Sequence, residues 1–130
     1  MGVVASLNDE KKSFDTGNDT IVVPRVMETV VGGRTLDTTG YAPEVIKAGS
    51  VVIVEDSTGN HKPMPVNSGA TAYAALPAGH TVVGVVISTV DTKKPFVGIS
   101  IRGSVNEVAS PYPPTTAIKN ALPRINFFKE

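Results

Sequence analysis

The 130-residue sequence contains no cysteine and no tryptophan, aromatic residues make up 5%, and charged residues make up 18%. Without cysteine there is no disulfide framework, no thiolate zinc site and no catalytic thiol. Lys+Arg and Asp+Glu each total 12. That balance removes the broad positive field used in non-specific binding to nucleic acid or anionic membranes, so neither is expected as a partner. No apolar run approaches the ~20 residues of a membrane span, and the start Met1–Asn8 lacks the charged region of a signal peptide. A soluble, unexported protein is the expectation.

Branched aliphatic residues dominate instead: 20 Val and 8 Ile against 4 Leu, with 13 Thr. Two heavy atoms on Cβ restrict χ1 in a helix but pack well on a pleated surface. The 12 Gly and 10 Pro cut the chain into short pieces. An all-β fold follows, a small barrel-like domain over residues 20–130 with one short helix near its carboxyl end. Residues 1–19 are largely polar and read as a flexible arm, with Val3, Val4, Leu7 and Phe14 as apolar anchors for a partner.

Thr20–Val23 predicts a first strand stopped by Pro24, and Arg25–Val31 a second. Val51–Val54 is continuously apolar, as in a strand covered on both faces in a small barrel. Asp56–Asn60 supplies a hairpin turn, and Pro63 and Pro65 confine the following strand to an edge. Thr81–Val90 is the longest apolar stretch, and Gly84 within it marks a bulge or a close backbone approach. Val97, Ile99, Ile101 and Val105 alternate with Ser100, Arg102 and Ser104, the pattern of a half-buried antiparallel strand. Pro111-Tyr112-Pro113-Pro114 forces extended backbone, after which Thr115 or Thr116 caps a helix over Ala117–Leu122 that Pro123 ends. Ile125 and Phe127 share one face of a final extended segment, packed on their own domain or against another subunit.

Chemistry is sparse. His61 and His80 fall in predicted loops without a second ligand at metal spacing. Asp56 and Asp91 suit turn-capping better than acid–base work. Gly32-Gly33-Arg34 lacks the Lys-Ser/Thr and helix of a phosphate loop, and Ser6, Ser50 and Ser57 show no nucleophile elbow. No catalytic residue, cofactor or metal is expected, and function is sought in surfaces.

Three blocks occur in order: Lys47-Ala48-Gly49-Ser50-Val51-Val52, Val82-Val83-Gly84-Val85-Val86 and Ile101-Arg102-Gly103-Ser104-Val105-Asn106-Glu107. Pro111-Tyr112-Pro113, Ala117-Ile118-Lys119-Asn120-Ala121-Leu122-Pro123 and Ile125-Asn126-Phe127 follow. The blocks resemble tailed-bacteriophage head decoration proteins of the lambda type, and the ending resembles the base domain of phage head fiber proteins. The resemblance implies a β-tulip domain that forms a homotrimer on the outer capsid surface of the virion, made in the host cytoplasm. There it clamps neighbouring copies of the major capsid protein, and its amino-terminal arm adds a strand to that protein. Val3, Val4, Leu7 and Phe14 would lie in the arm, and Tyr112, Pro113, Ile125, Phe127 and Phe128 near subunit contacts. Residues 1–130 contain no heptad repeat, so the expectation is a decoration protein without a fibrous stalk or a base that presents no fiber. The alternative is a small-barrel carbohydrate- or peptide-binding module, for which Tyr41 and Tyr73 are the loop aromatics. An enzyme would need a deep polar pocket around His80.

Overall fold

A computed structural model describes residues 19–129 apart from 42 and 70. The candidate arm residues Val3, Val4, Leu7 and Phe14 lie outside the described residues. Among the described residues ten short strands and two short helices follow one another: α1 (Asp19–Val22), β1 (Arg25–Thr29), β2 (Arg34–Thr35), β3 (Val45–Ile46), β4 (Val51–Glu55), β5 (His61–Pro63), β6 (His80–Val86), β7 (Val90–Asp91), β8 (Phe96–Val97), β9 (Ile99–Asn106), α2 (Thr116–Ala121) and β10 (Ile125–Phe128). The main sheet has the order β1-β9-β6-β4-β5, with β10 added parallel to β9, while β2-β8 and β3-β7 form two small antiparallel sheets.

The strand-rich expectation holds, but among the described residues the sheets do not close into a barrel. The main sheet ends at β1, exposed along its whole length, and at β5. Beyond β5, Pro63 and Pro65 lack the N–H groups that a further ladder requires. Val51–Val54 is nevertheless covered on both faces, as the apolar run predicts. Successive side chains of a strand alternate, so Val51 and Ile53 join one core cluster and Val52 the other. The first cluster also holds Met64, Tyr73, Val85, Val105 and Ile125, with Ile118 and Leu122 of the helical segment. The second gathers Leu36, Ile46, Val86, Val97 and Ile99.

β9 departs from the predicted simple alternation. Ile99 and Ile101 pack with the second cluster but Val105 with the first, although equal parity would keep them on one face. The register between β1 and β9 slips twice between Val26 and Thr29, and Gly103 adopts φ +153°. These irregularities turn the strand so that Val105 reaches the opposite cluster. Ser100, expected on a solvated face, is buried, because β6 and β1 flank it and Gly84 lies against its carbonyl.

The amino-terminal segment corrects the sequence reading. Residues 19–22 form one helical turn in place of the first strand, closed by Val23 N–H donating to Asp19 O at 3.0 Å. Asp19, assigned to the arm by composition, accepts from the Thr89 amide at 2.9 Å and the Thr89 hydroxyl at 2.7 Å. Thr89 Oγ1 accepts in turn from Ala48 N–H at 3.1 Å. This distant anchor overrides the β propensity of Thr20–Val23. Val22 and Val23 then cluster with Ala48, and Val22 Cγ1 fills the space that a side chain at Gly49 would need.

The carboxyl-terminal elements follow the sequence closely. Thr115 caps α2, its Oγ1 accepting from Ile118 N–H at 3.2 Å. The i, i+4 pair Ile118 and Leu122 faces the first cluster, and Lys119 pairs with Glu107 at 2.9 Å.

A side chain at Gly84 would overlap the Ser100 carbonyl, and one at Gly103 the Arg25 carbonyl. Gly84→Ala and Gly103→Ala should therefore each lower stability by about 1–3 kcal/mol, the range for overpacked sites. Gly69→Ala, whose nearest neighbours would be 3.9 Å away, serves as a near-neutral control. Urea unfolding of the three variants measures the difference.

Candidate functional site

Two neighbouring cavities share Tyr41 as a wall, and loops held by non-local hydrogen bonds build both. The segment carrying Asp37–Tyr41 is tied down by Leu36 N–H donating to Pro95 O at 2.9 Å and Asp37 N–H donating to His61 O at 2.8 Å. Within it, Asp37 Oδ1 accepts from Thr39 N–H at 3.1 Å and from Thr39 Oγ1 at 2.7 Å. Those bonds, with the positive charge of Lys62, hold the Asp37 carboxyl below its ordinary pKa.

The first cavity, about 310 Å³, lies between this loop, β5, the 65–68 segment and the start of β6. Lys62 Nζ stands 3.1 Å from Glu55 Oε1 and 3.5 Å from His80 Nε2. His80 Nδ1 is 3.0 Å from the Ala78 carbonyl, which assigns the proton of the neutral ring to Nδ1 and leaves Nε2 as an acceptor facing the ammonium. Glu55 is held below its ordinary pKa chiefly by its hydrogen bond to Lys62 and then by the charge of Lys62. Pro63, Pro65, Val66 and Pro77 supply apolar walls, and Ile53 reaches the floor.

The second cavity, about 290 Å³, lies between Tyr41, the Pro43–Val45 segment, Ser50 and Pro111-Tyr112. Burial pushes the Tyr41 hydroxyl pKa up, reinforced by the charge of Tyr112 and a hydrogen bond with it. Ser50 is 2% exposed, and its hydroxyl has no hydrogen-bond partner. Tyr73 lies behind this wall, 9% exposed, its ring 5.1 Å from that of Tyr112 at 64°. Its hydroxyl accepts from Val51 N–H at 3.0 Å and reaches Gly49 O at 3.5 Å, pinning the 66–73 loop to β4.

These placements sort the residues singled out by sequence. Both histidines sit in strands rather than loops, His61 in β5 and His80 opening β6, because β4 pairs with β5 at Val54–His61 and with β6 at Glu55–His80. Tyr73 is a buried core residue and Tyr41 is half-buried, so neither offers a fully exposed aromatic platform. Asp91 caps its turn by accepting from Lys93 N–H at 2.8 Å, whereas Asp56 accepts from the Thr81 hydroxyl at 2.7 Å across strands. Ile125 is 5% exposed inside the first core cluster, with Phe127 packed beside it. Tyr112 and Phe128 are half-buried and Pro113 is exposed. Among the described residues no group of three or more His, Cys, Asp or Glu is placed to hold a metal ion, and no helix is long and apolar enough to cross a membrane. Sequence reasoning passed over Asp37 and Lys62; neither lies in a motif, and the fold alone brings them to one cavity.

Compared with protein-family models, curated proteins and solved structures, the chain matches none.

Removing the unpartnered hydroxyl in Ser50→Ala should raise stability by about 1 kcal/mol, because a buried polar group without a hydrogen bond costs more than the methyl that replaces it. Tyr73→Phe should lower it by about 1–2 kcal/mol by leaving the buried Val51 N–H without its acceptor. Urea midpoints of the two variants, read at matched slope, check both signs.

His61 generates a pH dependence. Burial, and then the charge of Arg34, hold its folded-state pKa below the ordinary value. The unfolded chain therefore binds more protons than the folded one as pH falls, so stability present above the unfolded pKa of about 6.5 is lost on acidification through that range. His61→Gln should flatten the urea midpoint between about pH 7 and pH 5, while the carboxylate-dependent loss at lower pH persists.

Proposed function

We propose that this is a structural binding protein of tailed-bacteriophage heads, a capsid decoration protein of the head-fiber-base kind that binds the outer surface of the major capsid protein lattice as a homotrimer. In this reading it is not an enzyme and needs no cofactor. The finer fold assignment, a β-tulip, belongs to the same proposal. The observation that carries it is the conformation of the segment with the most specific resemblance, residues 102–127. That segment folds as a single strand-helix-strand clip, in which β10 returns parallel to β9 and pairs Ile125 with Gly103 and Phe127 with Val105.

The clip leaves apolar surface at its far end. Val108 is 64% exposed, and Phe128, whose carbonyl accepts from Glu107 N–H at 2.8 Å, lies beside it half-buried. Tyr112 and Pro113 follow in the extended passage. Association would cover this surface and the sheet edges that a small β-domain leaves open. Ile125 contributes to the core of its own chain, so within the proposal the contacts fall to Tyr112, Pro113, Phe127 and Phe128. A surface with few charges also suits close packing of many copies, where like-charge repulsion would accumulate.

Native mass measurement at micromolar concentration should give a trimer, and Val108→Asp with Phe128→Asp should shift it to monomer while retaining the strand-rich circular dichroism spectrum. Deletion of residues 1–18, which keeps Asp19 and its bonds to Thr89, should abolish co-sedimentation with phage heads assembled from major capsid protein yet leave the trimer intact. A monomeric protein that does not bind such heads would overturn the proposal.

A further inference from the structure

The first cavity combines features that a capsid-docking surface does not require, and it stands independently of that reading. We infer that it is a binding site for a single neutral saccharide ring, held between Asp37 and Lys62 with Tyr41 and the Pro65-Val66 wall against the ring's C–H faces. Its volume of about 310 Å³ is at the small end of ligand sites, enough for one ring and too small for an extended oligomer to be enclosed.

Charge decides against an ion. Lys62 contributes a positive charge, but Glu55 lies 3.1 Å from it and Asp37, another wall of the cavity, has its carboxylate favoured. An anionic ligand would meet the Asp37 carboxylate and an ammonium already paired with Glu55, and a cationic one would meet that ammonium. A sugar hydroxyl donates and accepts at once, so vicinal hydroxyls can donate to a carboxylate and accept from an ammonium side by side.

The polar groups have capacity for this. An ammonium has three N–H donors; Glu55 and His80 Nε2 engage two for Lys62 and leave one. Asp37 Oδ1 takes both Thr39 hydrogen bonds, leaving Oδ2 as the acceptor. Both side chains are held before any ligand arrives, Lys62 between Glu55 and His80 and Asp37 by its own loop. That arrangement limits the ordering cost of binding. A proline-rich peptide fits less well, since such ligands lie in grooves lined by several aromatic side chains, and among the described residues Tyr41 is the one such ring in this cavity.

The test uses the full chain, isotope-labelled, titrated with methyl α-mannopyranoside, methyl β-galactopyranoside and N-acetylglucosamine, with inorganic phosphate and free lysine as charged comparators. At least one sugar should give saturable shifts of amides around Tyr41 and Lys62 with millimolar affinity, and saturation transfer from the Tyr41 ring to the sugar. Asp37→Asn and Lys62→Met should each weaken that affinity at least about tenfold, the loss expected for one charge-assisted hydrogen bond. Lys119→Met, on α2 and paired with Glu107, should leave it unchanged. The transfer experiment on the unmodified protein keeps the inference testable if a variant fails to fold. No saturable shift from any of the three sugars, shifts elsewhere on the surface, tighter binding of phosphate or lysine, or undiminished affinity in both variants would each overturn it. Trimer formation and head binding are read in separate assays, so failure of one proposal is distinguishable from failure of the other.

Discussion

Gly103 is the point on which the rest of this architecture depends. β9 carries β1 along one edge, while β6 at residues 99–100 and β10 at residues 103–106 share the other. At Gly103 the strand pairs with Val26 and Ile125 together, and the Arg25 carbonyl occupies the position a Cβ would take. A backbone approach that close is open only to a residue without a side chain. The same position has the positive φ that accompanies the change of face, sending Ile101 to one cluster and Val105 to the other. Through Val105 and Ile125 this one junction carries the carboxyl-terminal clip into the core.

A central strand buried on both faces in so short a chain needs cover from loops, and here tyrosines and non-local hydrogen bonds provide it. Tyr73 accepts from Val51 N–H and packs edge-on to Tyr112, so the 66–73 loop and the proline-rich passage are fixed against the same end of β4. Asp37 N–H, bonded to His61 O, lays the 37–41 loop beside β5. The two cavities are the spaces these loops leave around Tyr41. Their walls are irregular segments, but each wall is tied to a strand, so the side chains facing inward keep a fixed relation. The Lys62–Glu55 pair is partly exposed, so solvent screens it and it adds little to stability. Its greater effect is to hold the ammonium in one place.

Features whose cause lies within a few residues were legible in the sequence. The β4–β5 hairpin follows from Asp56–Asn60 between apolar strands, the cap of α2 from Thr115, and the close approach at Gly84 from a lone glycine in an apolar run. The turn at Asp91 belongs with them. Features whose cause lies far along the chain were not. Thr20–Val23 has the composition of a strand and forms a helical turn because Asp19 binds Thr89, 70 residues away. His61 and His80 read as loop residues until β4 pairs with β5 on one side and β6 on the other. The first cavity was invisible for the same reason. Asp37, Lys62 and His80 are unremarkable singly and meet only through the pairing of three separate segments.

The balance of charge acquires a local meaning in this light. Equal totals of acidic and basic residues exclude a global field, yet they leave open how the charges are arranged. Around the first cavity they are arranged as alternating signs, Glu55, Lys62 and Asp37, each within reach of its opposite. Such a cluster presents a donor and an acceptor to one cavity. Elsewhere the low charge density leaves apolar side chains uncovered, Val108 beside Phe128 at the end of the clip and Phe96 over Gly33 at β8. Sparse charge thus separates two kinds of surface on one small domain: a polar cavity of mixed charge, and exposed apolar edges.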